Sequence, residues 1–391
     1  MADKKKPLTP AEYFKKIGKQ DRDAIIDLEG SKIPETISTG SWVINYIIGD
    51  GTGQGKAGGF PKGAVVEITG DESAGKTTLA LSACRKVQEA GGVPVYFDFE
   101  RSFHKIYAQN LGLDISSDKF VLAQPDTFED GARMIEDALE MEPALIVVDS
   151  VAAMTPKAFV EGDIDEGARI GLHASLMSKF MSIISKSVKR SNTCLCLINQ
   201  MRSRIKGQYE RGPTEESTGG RSLKYYITVK LMMEKGAMER INTKSGLTGK
   251  MEKKAVNMTV KVSCIKNKFD RPFLSGPVYI RFGEGFDNLM SMAELAITTG
   301  VIKKSGAFYR FDDGDTTLFN VQGKEGLRRK LIAEVDLRKM IEDRISIKED
   351  AQVKEEYKDE NDAEMPEEKG DIASQLSTVS EKFKKKGKGK K

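Results

Sequence analysis

Residues 63–82, "GAVVEITGDESAGKTTLALS", limit what this chain can fold into more than any other stretch. The β-branched run reads as a buried strand, and Lys76 to about Ala90 has helical pattern until Gly91 and Gly92 stop it. Between them, Gly70, Gly75, Lys76 and Thr77 fit the spacing G-x-x-x-x-G-K-[ST]. Glycines there let backbone N–H groups wrap phosphates, while a lysine reaches the outer phosphates and a threonine hydroxyl meets Mg²⁺. The expected nucleotide site therefore runs through Gly70, Asp71, Glu72, Ser73, Ala74, Gly75, Lys76, Thr77 and Thr78.

A strand that feeds a helix through such a loop needs further parallel strands beside it. Three apolar runs supply them: "VPVYFDFE" (93–100), "ALIVVDS" (144–150) and "TCLCLINQ" (193–200). Helical patterns at about 102–111, 127–141 and 168–190 separate the runs. This alternation predicts an α/β fold with a mostly parallel sheet, whose ligands sit at the carboxyl ends of the strands. Farther on, residues 254–268 and 277–283 alternate as antiparallel strands do, and 288–345 read as a small mixed region with two helices. No internal repeat is visible.

Each strand end offers a polar residue at that edge. Asp149 ends the most apolar run and is placed to hold a metal-bound water, with Thr77 as the other metal contact. Glu100 could position an attacking water, although spacing alone equally allows a solvated turn residue. Asp98 would share its face if the strand were regular. Gln200 could sense a γ-phosphate and relay it to the segment behind it, "MRSRIKGQYERGPTEESTGGRS" (201–222). That segment is too long for a connector, and arginines beside Tyr209 suit a nucleic-acid backbone and its bases; a mobile solvated loop is the plain alternative. Two look-alikes carry little. "GQGKAG" (53–58) is followed by "GFPKG", which cannot open a helix, and "NKFD" (267–270) lacks the D-x-x-G a GTPase would show after Asp149.

Composition closes off other classes. No apolar run approaches the roughly 20 residues of a membrane span, and "MADKKKPLTP" does not read as a secretory signal. The 4 cysteines, Cys84, Cys194, Cys196 and Cys264, match neither a zinc cluster nor a disulfide framework, so buried thiols in a reducing cytoplasm are expected. Residues 8–30 have helical pattern with Ala11, Phe14 and Ile17 on one face, too short to bury that face alone. The net charge of +4 conceals an acidic block from Glu349 to Glu368 and a lysine-rich end from Lys382 to Lys391, expected to stay solvated and disordered.

Taken in order, "ETISTGS" (35–41), "GDESAGKTTL" (70–79), "AQPDTFEDG" (123–131), "IVVDSVAAMTPKA" (146–158), "SNTCLCLINQMR" (191–202), "STGGRSLKYY" (217–226), "IKNK" (265–268) and "GEGF" (283–286) resemble the bacterial RecA-type DNA recombinases over roughly residues 12–345. The resemblance implies a RecA-type P-loop ATPase core at 34–286, a short N-terminal oligomerisation helix within 1–33, a small α+β C-terminal domain at 287–348 and a tail at 349–391. It also implies a filament on single-stranded DNA that pairs with homologous duplex and exchanges strands, using ATP and Mg²⁺. Glu100 falls at the family's catalytic glutamate, Gln200 at its ATP-sensing glutamine and Tyr107 at the tyrosine on adenine. Lys266 and Lys268 match lysines that reach a neighbouring subunit's ATP. Residues 160–171, with Arg169, match the first DNA loop. Residues 201–220 match the second, so Met201, Arg202, Arg204, Ile205, Tyr209, Gly219, Gly220 and the adjacent Arg221 are the expected DNA contacts. The chain departs from the pattern at His104, where an acid is usual, at Arg221, where Asn is usual, in slightly longer DNA loops and in the 49–59 insertion. Two other readings share the core: an accessory DNA-binding relative without strand exchange, and a ring-forming DNA motor.

Overall fold

The structure is a computed structural model that describes residues 33–52, 56–162, 166–203, 215–217, 220–244 and 251–346. The expected N-terminal helix at 8–30 and the tail beyond 349 lie outside them. The described residues up to Ser346 form one compact unit.

Strands β1 (Thr36–Ile37) and β2 (Phe60–Pro61) pair around helix α1 (Trp42–Ile48). Then follow β3 (Val65–Gly70), α2 (Lys76–Glu89), β4 (Val95–Asp98), α3 (Lys105–Asn110), β5 (Val121–Ala123), α4 (Phe128–Leu139) and β6 (Leu145–Asp149). Past β6 come α5 (Lys157–Val160), α6 (Glu166–Arg190) and β7 (Cys194–Ile198), then the antiparallel pair β8 (Met201–Ser203) and β9 (Glu215–Ser217), and α7 (Gly220–Tyr226). Long strands β10 (Val229–Lys244) and β11 (Met251–Asn267) are followed by β12 (Ser275–Arg281) and β13 (Gly285–Phe286). The C-terminal region holds α8 (Asn288–Thr298), β14 (Lys303–Ser305), β15 (Phe308–Asp313), β16 (Thr316–Gln322), α9 (Gly323–Ala333) and a helix α10 over 335–346.

Nine strands make one sheet in the order β13-β12-β11-β10-β3-β7-β6-β4-β5. From β10 to β5 every pair is parallel; β11, β12 and β13 extend the sheet antiparallel. Both faces are covered, which explains the unbroken apolar runs. Along β6, Leu145 and Val147 pack on the side of α1 and α2, with Leu79, Ala83 and Val87. Ile146 and Val148 pack on the other side, against Ile135 of α4 and Met181 and Ile184 of α6. Each such side chain removed from water contributes about 1.5–3 kcal/mol. In β7, Cys194 and Cys196 alternate with Leu195 and Leu197, and all four cysteines are buried as free thiols.

Several expected boundaries shift. The run at 93–100 is extended only over Val95–Asp98, and the run at 193–200 only over Cys194–Ile198, so Glu100 and Gln200 stand just past their strands. Among the described residues of 201–222, β8 pairs with β9, and α7 starts at Gly220. The C-terminal region carries three helices rather than two, because the polar stretch after Ala333 continues as α10 by burying Leu337, Ile341 and Ile345.

Candidate nucleotide-binding and hydrolysis site

The loop after β3 needs its glycines for space and for backbone conformation. Gly70 has φ of 139°, and a Cβ there would lie 2.0 Å from the Met233 carbonyl oxygen of β10. Gly75 caps α2 in the left-handed region at φ 93°, where a side chain is strained. Asp71 staples the loop to β10: its N–H donates to Met233 O (3.1 Å), and its carboxylate accepts from the Lys235 N–H (2.9 Å). Lys76 bends back to donate to the carbonyl oxygens of Gly70 (2.9 Å) and Asp71 (2.6 Å). Burial lowers its pKa, and Asp149, Asp71, Glu100 and Glu72 oppose that shift.

Asp149, at the end of β6, is buried, and one carboxylate oxygen accepts both from Thr77 Oγ1 (3.0 Å) and from Tyr96 OH (2.6 Å). Burial raises its pKa; the two hydroxyl donors pull the other way. A cis peptide joins it to Ser150. Ser150 Oγ donates to Glu100 Oε1, and Gln200 Nε2 donates to the same oxygen at 3.1 Å. Glu100 thus meets Gln200 although 100 residues separate them. Asp98 does not join it on a strand face. β4 ends at Asp98, whose buried carboxylate accepts from the N–H groups of Ser102 (3.1 Å) and Phe103 (3.0 Å) and from Gln124 Nε2 (2.9 Å). It braces the turn that presents Glu100.

Beside the loop lies a cleft of about 310 Å³ lined by Lys76, Thr77, Thr78 and Tyr107 and, from across the sheet, by Met258, Ile280 and Phe282. Tyr107 OH hydrogen-bonds Thr78 Oγ1 (2.7 Å), fixing the ring as a wall. His104 caps α3, its Nδ1 accepting from the Tyr107 N–H (3.1 Å). Tyr96, Ser150, Asn199, Met258, Ile280 and Phe282 were not singled out from the sequence. The cleft's apolar wall carries no signal there, since alternating strand residues read alike whether they face core or ligand.

Lys266 and Lys268 stand at the end of β11 and donate from Nζ to the carbonyls of Lys224 and Tyr225 (3.0 Å for the latter), closing the C-terminus of α7. The expected DNA contacts are only partly in view. Met201 and Arg202 open β8, Gly220 and Arg221 begin α7, and Arg169 lies in α6. Arg204, Ile205, Tyr209 and Gly219 fall outside the described residues. "NKFD" serves the fold: Asn267 Nδ2 donates to Ile48 O (2.8 Å), and Asp270 Oδ2 accepts from the Gly51 N–H (2.8 Å), bracing the glycine-rich segment after α1. Among the described residues, no cluster of three or more His, Cys, Asp or Glu forms a metal-ligand group, and no helix is long and apolar enough to cross a membrane.

A phosphate loop at the end of a central parallel strand, with an acid, a glutamate and a glutamine at the neighbouring strand ends, defines a nucleotide-binding P-loop protein of the α/β class. Residues 11–287 match the RecA N-terminal domain. The chain is 36% identical over 280 residues to Protein RecA of Bacteroides thetaiotaomicron, covering 71% of this chain and 78% of that one. Protein RecA of Clostridioides difficile is 36% identical over 313 residues, covering 80% and 82%, and that of Bacillus thuringiensis is 34% identical over 345 residues, covering 87% and 92%. The chain belongs to the RecA family. It is a DNA-dependent ATPase of homologous recombination and DNA repair that works as a filament on DNA.

Proposed function

We propose that Lys76, Glu100, Asp149 and Gln200 carry out ATP hydrolysis and that Gln200 couples it to DNA held by the second loop. The observation that carries this reading is the 3.1 Å bond from Gln200 to Glu100, because Gln200 is also the residue from which the 201–220 segment departs. With ATP bound, Lys76 would leave the loop carbonyls for the outer phosphates. The amide of Gln200 would then face the γ-phosphate, and Glu100 would orient the water. The Thr77 hydroxyl and the Asp149 carboxylate are hard oxygen donors, only 3.0 Å apart, and suit Mg²⁺, which keeps most of its shell as water and phosphate. The metal would neutralise charge developing on the phosphates. Tyr107 and the cleft it lines would hold the adenine; Thr78 orients the tyrosine.

Lys266 and Lys268 would exchange the α7 carbonyls for a neighbouring protomer's nucleotide, which makes ATP binding and filament growth one event. Arg169, Met201, Arg202, Arg204, Ile205, Tyr209, Gly219, Gly220 and Arg221 would line the DNA path. We divide the chain at 1–33, 34–286, 287–348 and 349–391, and place the protein in the cytoplasm, where its family's substrate and reduced thiols are found.

The test is ATP hydrolysis with and without single-stranded DNA, for the unmodified protein and for Glu100→Ala. The expected result is strong stimulation that Glu100→Ala reduces by about 10²-fold or more while DNA binding survives. Full activity in Glu100→Ala would remove Glu100 from the chemistry.

A further inference from the structure

Behind the hydrolysis site lies a buried ionic bridge that none of the assignments above uses. Glu67 sits in the middle of β3, fully buried, three residues before Gly70 of the phosphate loop. Its Oε2 pairs with Lys230 Nζ of β10 at 2.8 Å, and its Oε1 accepts from Asn199 Nδ2 at 2.9 Å. Asn199 Oδ1 in turn accepts the backbone N–H of Gln200 at 2.9 Å. Both ends of the Asn199 amide are thereby committed, and its orientation is fixed. The chain of contacts continues from the Gln200 side chain to Glu100.

On its other side the bridge neighbours the strand that closes the helix following the 201–220 segment. Lys230 stands in register with Glu67 on one side and with Lys266 on the other. Lys266 holds the last turn of α7, the helix into which that segment returns. One buried carboxylate therefore lies between the residue where the segment leaves the sheet and the strand on which it re-enters. For stability alone this is a poor choice. A buried ion pair is often no better than apolar side chains of similar volume, whereas removing one partner is costly. Such a pair is better suited to fixing one arrangement of the groups it touches.

We propose that Glu67, with Lys230 and Asn199, is a positioning unit that holds Gln200 against Glu100 and transmits the state of the 201–220 segment to the hydrolysis site. This rests on the function proposed above for Glu100 and Gln200. None of the three residues touches nucleotide; they act through Gln200.

The experiment measures DNA-stimulated ATP hydrolysis, with a polythymidine strand, for Asn199→Asp, Glu67→Gln and the exchange variant that carries both. Asn199→Asp sets two carboxylates face to face, and Glu67→Gln leaves the Lys230 ammonium without its counter-charge. The exchange variant keeps the net charge and restores every donor to an acceptor. Each single variant should lose about tenfold to hundredfold in DNA-stimulated kcat, while KM for ATP moves less than about twofold. The exchange should recover most of the stimulation. Folded single variants with unchanged stimulation would overturn the proposal. If the single variants do not fold, the exchange variant decides: restored stimulation supports the bridge, and a folded but unstimulated or an unfolded protein overturns it. Absence of stimulation in the unmodified protein would instead overturn the underlying reading together with this one.

Discussion

Asp149 carries a desolvation cost. Its carboxyl is buried, and its folded pKa lies above the unfolded value because desolvation outweighs the two hydroxyl donors. A carboxyl shifted this way binds more protons in the native state, so stability is fully present below the unfolded pKa and is lost as pH rises through the folded one. At neutral pH the ionised group is a cost in the ligand-free protein. Asp149→Asn is expected to melt higher than the unmodified protein at pH 7, with the gap closing toward pH 4, while hydrolysis is lost; thermal denaturation across that range checks it. Tyr107 makes a different contribution. If the ring stacks on the base as proposed above, its loss costs about 1–3 kcal/mol, so Tyr107→Ala should raise KM for ATP roughly five- to 150-fold with kcat little changed. Equal loss in kcat would place the ring in the chemistry instead.

The helices around the sheet are held by local devices that can be tested singly. Helix α4 begins at Thr127, whose hydroxyl accepts from the Asp130 N–H (3.1 Å), with Glu129 and Asp130 placed in the positive first turn. Thr127→Ala should cost about 1 kcal/mol in chemical denaturation. Because α4 packs on the face away from the cleft, nucleotide affinity should stay as it was. α7 contrasts with it. Its C-terminal carbonyls are closed by Lys266 and Lys268, 42 and 43 residues later in the chain than the groups they bond, so its end depends on tertiary structure.

Over the whole molecule, charge is segregated rather than balanced. The acidic block at 349–368 can compete with DNA for basic surface, and the lysines at 382–391 can offset it. Ending the chain after residue 348 is expected to tighten DNA binding at low salt and to steepen its salt dependence; binding isotherms at several salt concentrations measure both. An unchanged affinity and slope would leave the tail a role in solubility alone. The C-terminal region joins the same core as the sheet, with Phe311, Leu327 and Ile341 in the cluster that holds Leu79 and Val147. A substitution there, such as Leu327→Ala, is therefore felt in the stability of the ATPase core.

Much of this molecule was legible from local pattern. The phosphate loop, the parallel order implied by strand–helix alternation and the strand-end residues Asp149, Glu100 and Gln200 all depend on spacing within short windows, which sequence preserves. Glu67 also left a signal, as one acid inside the apolar run "VVEIT", but no partner could be named for it. Its partners came from β7 and β10, strands that flank β3 only because the chain order is rearranged across the sheet. The same holds for the wall of the cleft: Met258, Ile280 and Phe282 line it beside Tyr107 from about 150 to 175 residues downstream. The sequence by itself determined the class of fold and the chemistry of the loop, because both follow from periodicity and backbone conformation. The tertiary structure alone decided which charges meet in the interior, because an ion pair there exists only once strand order has brought its two members together and excluded water.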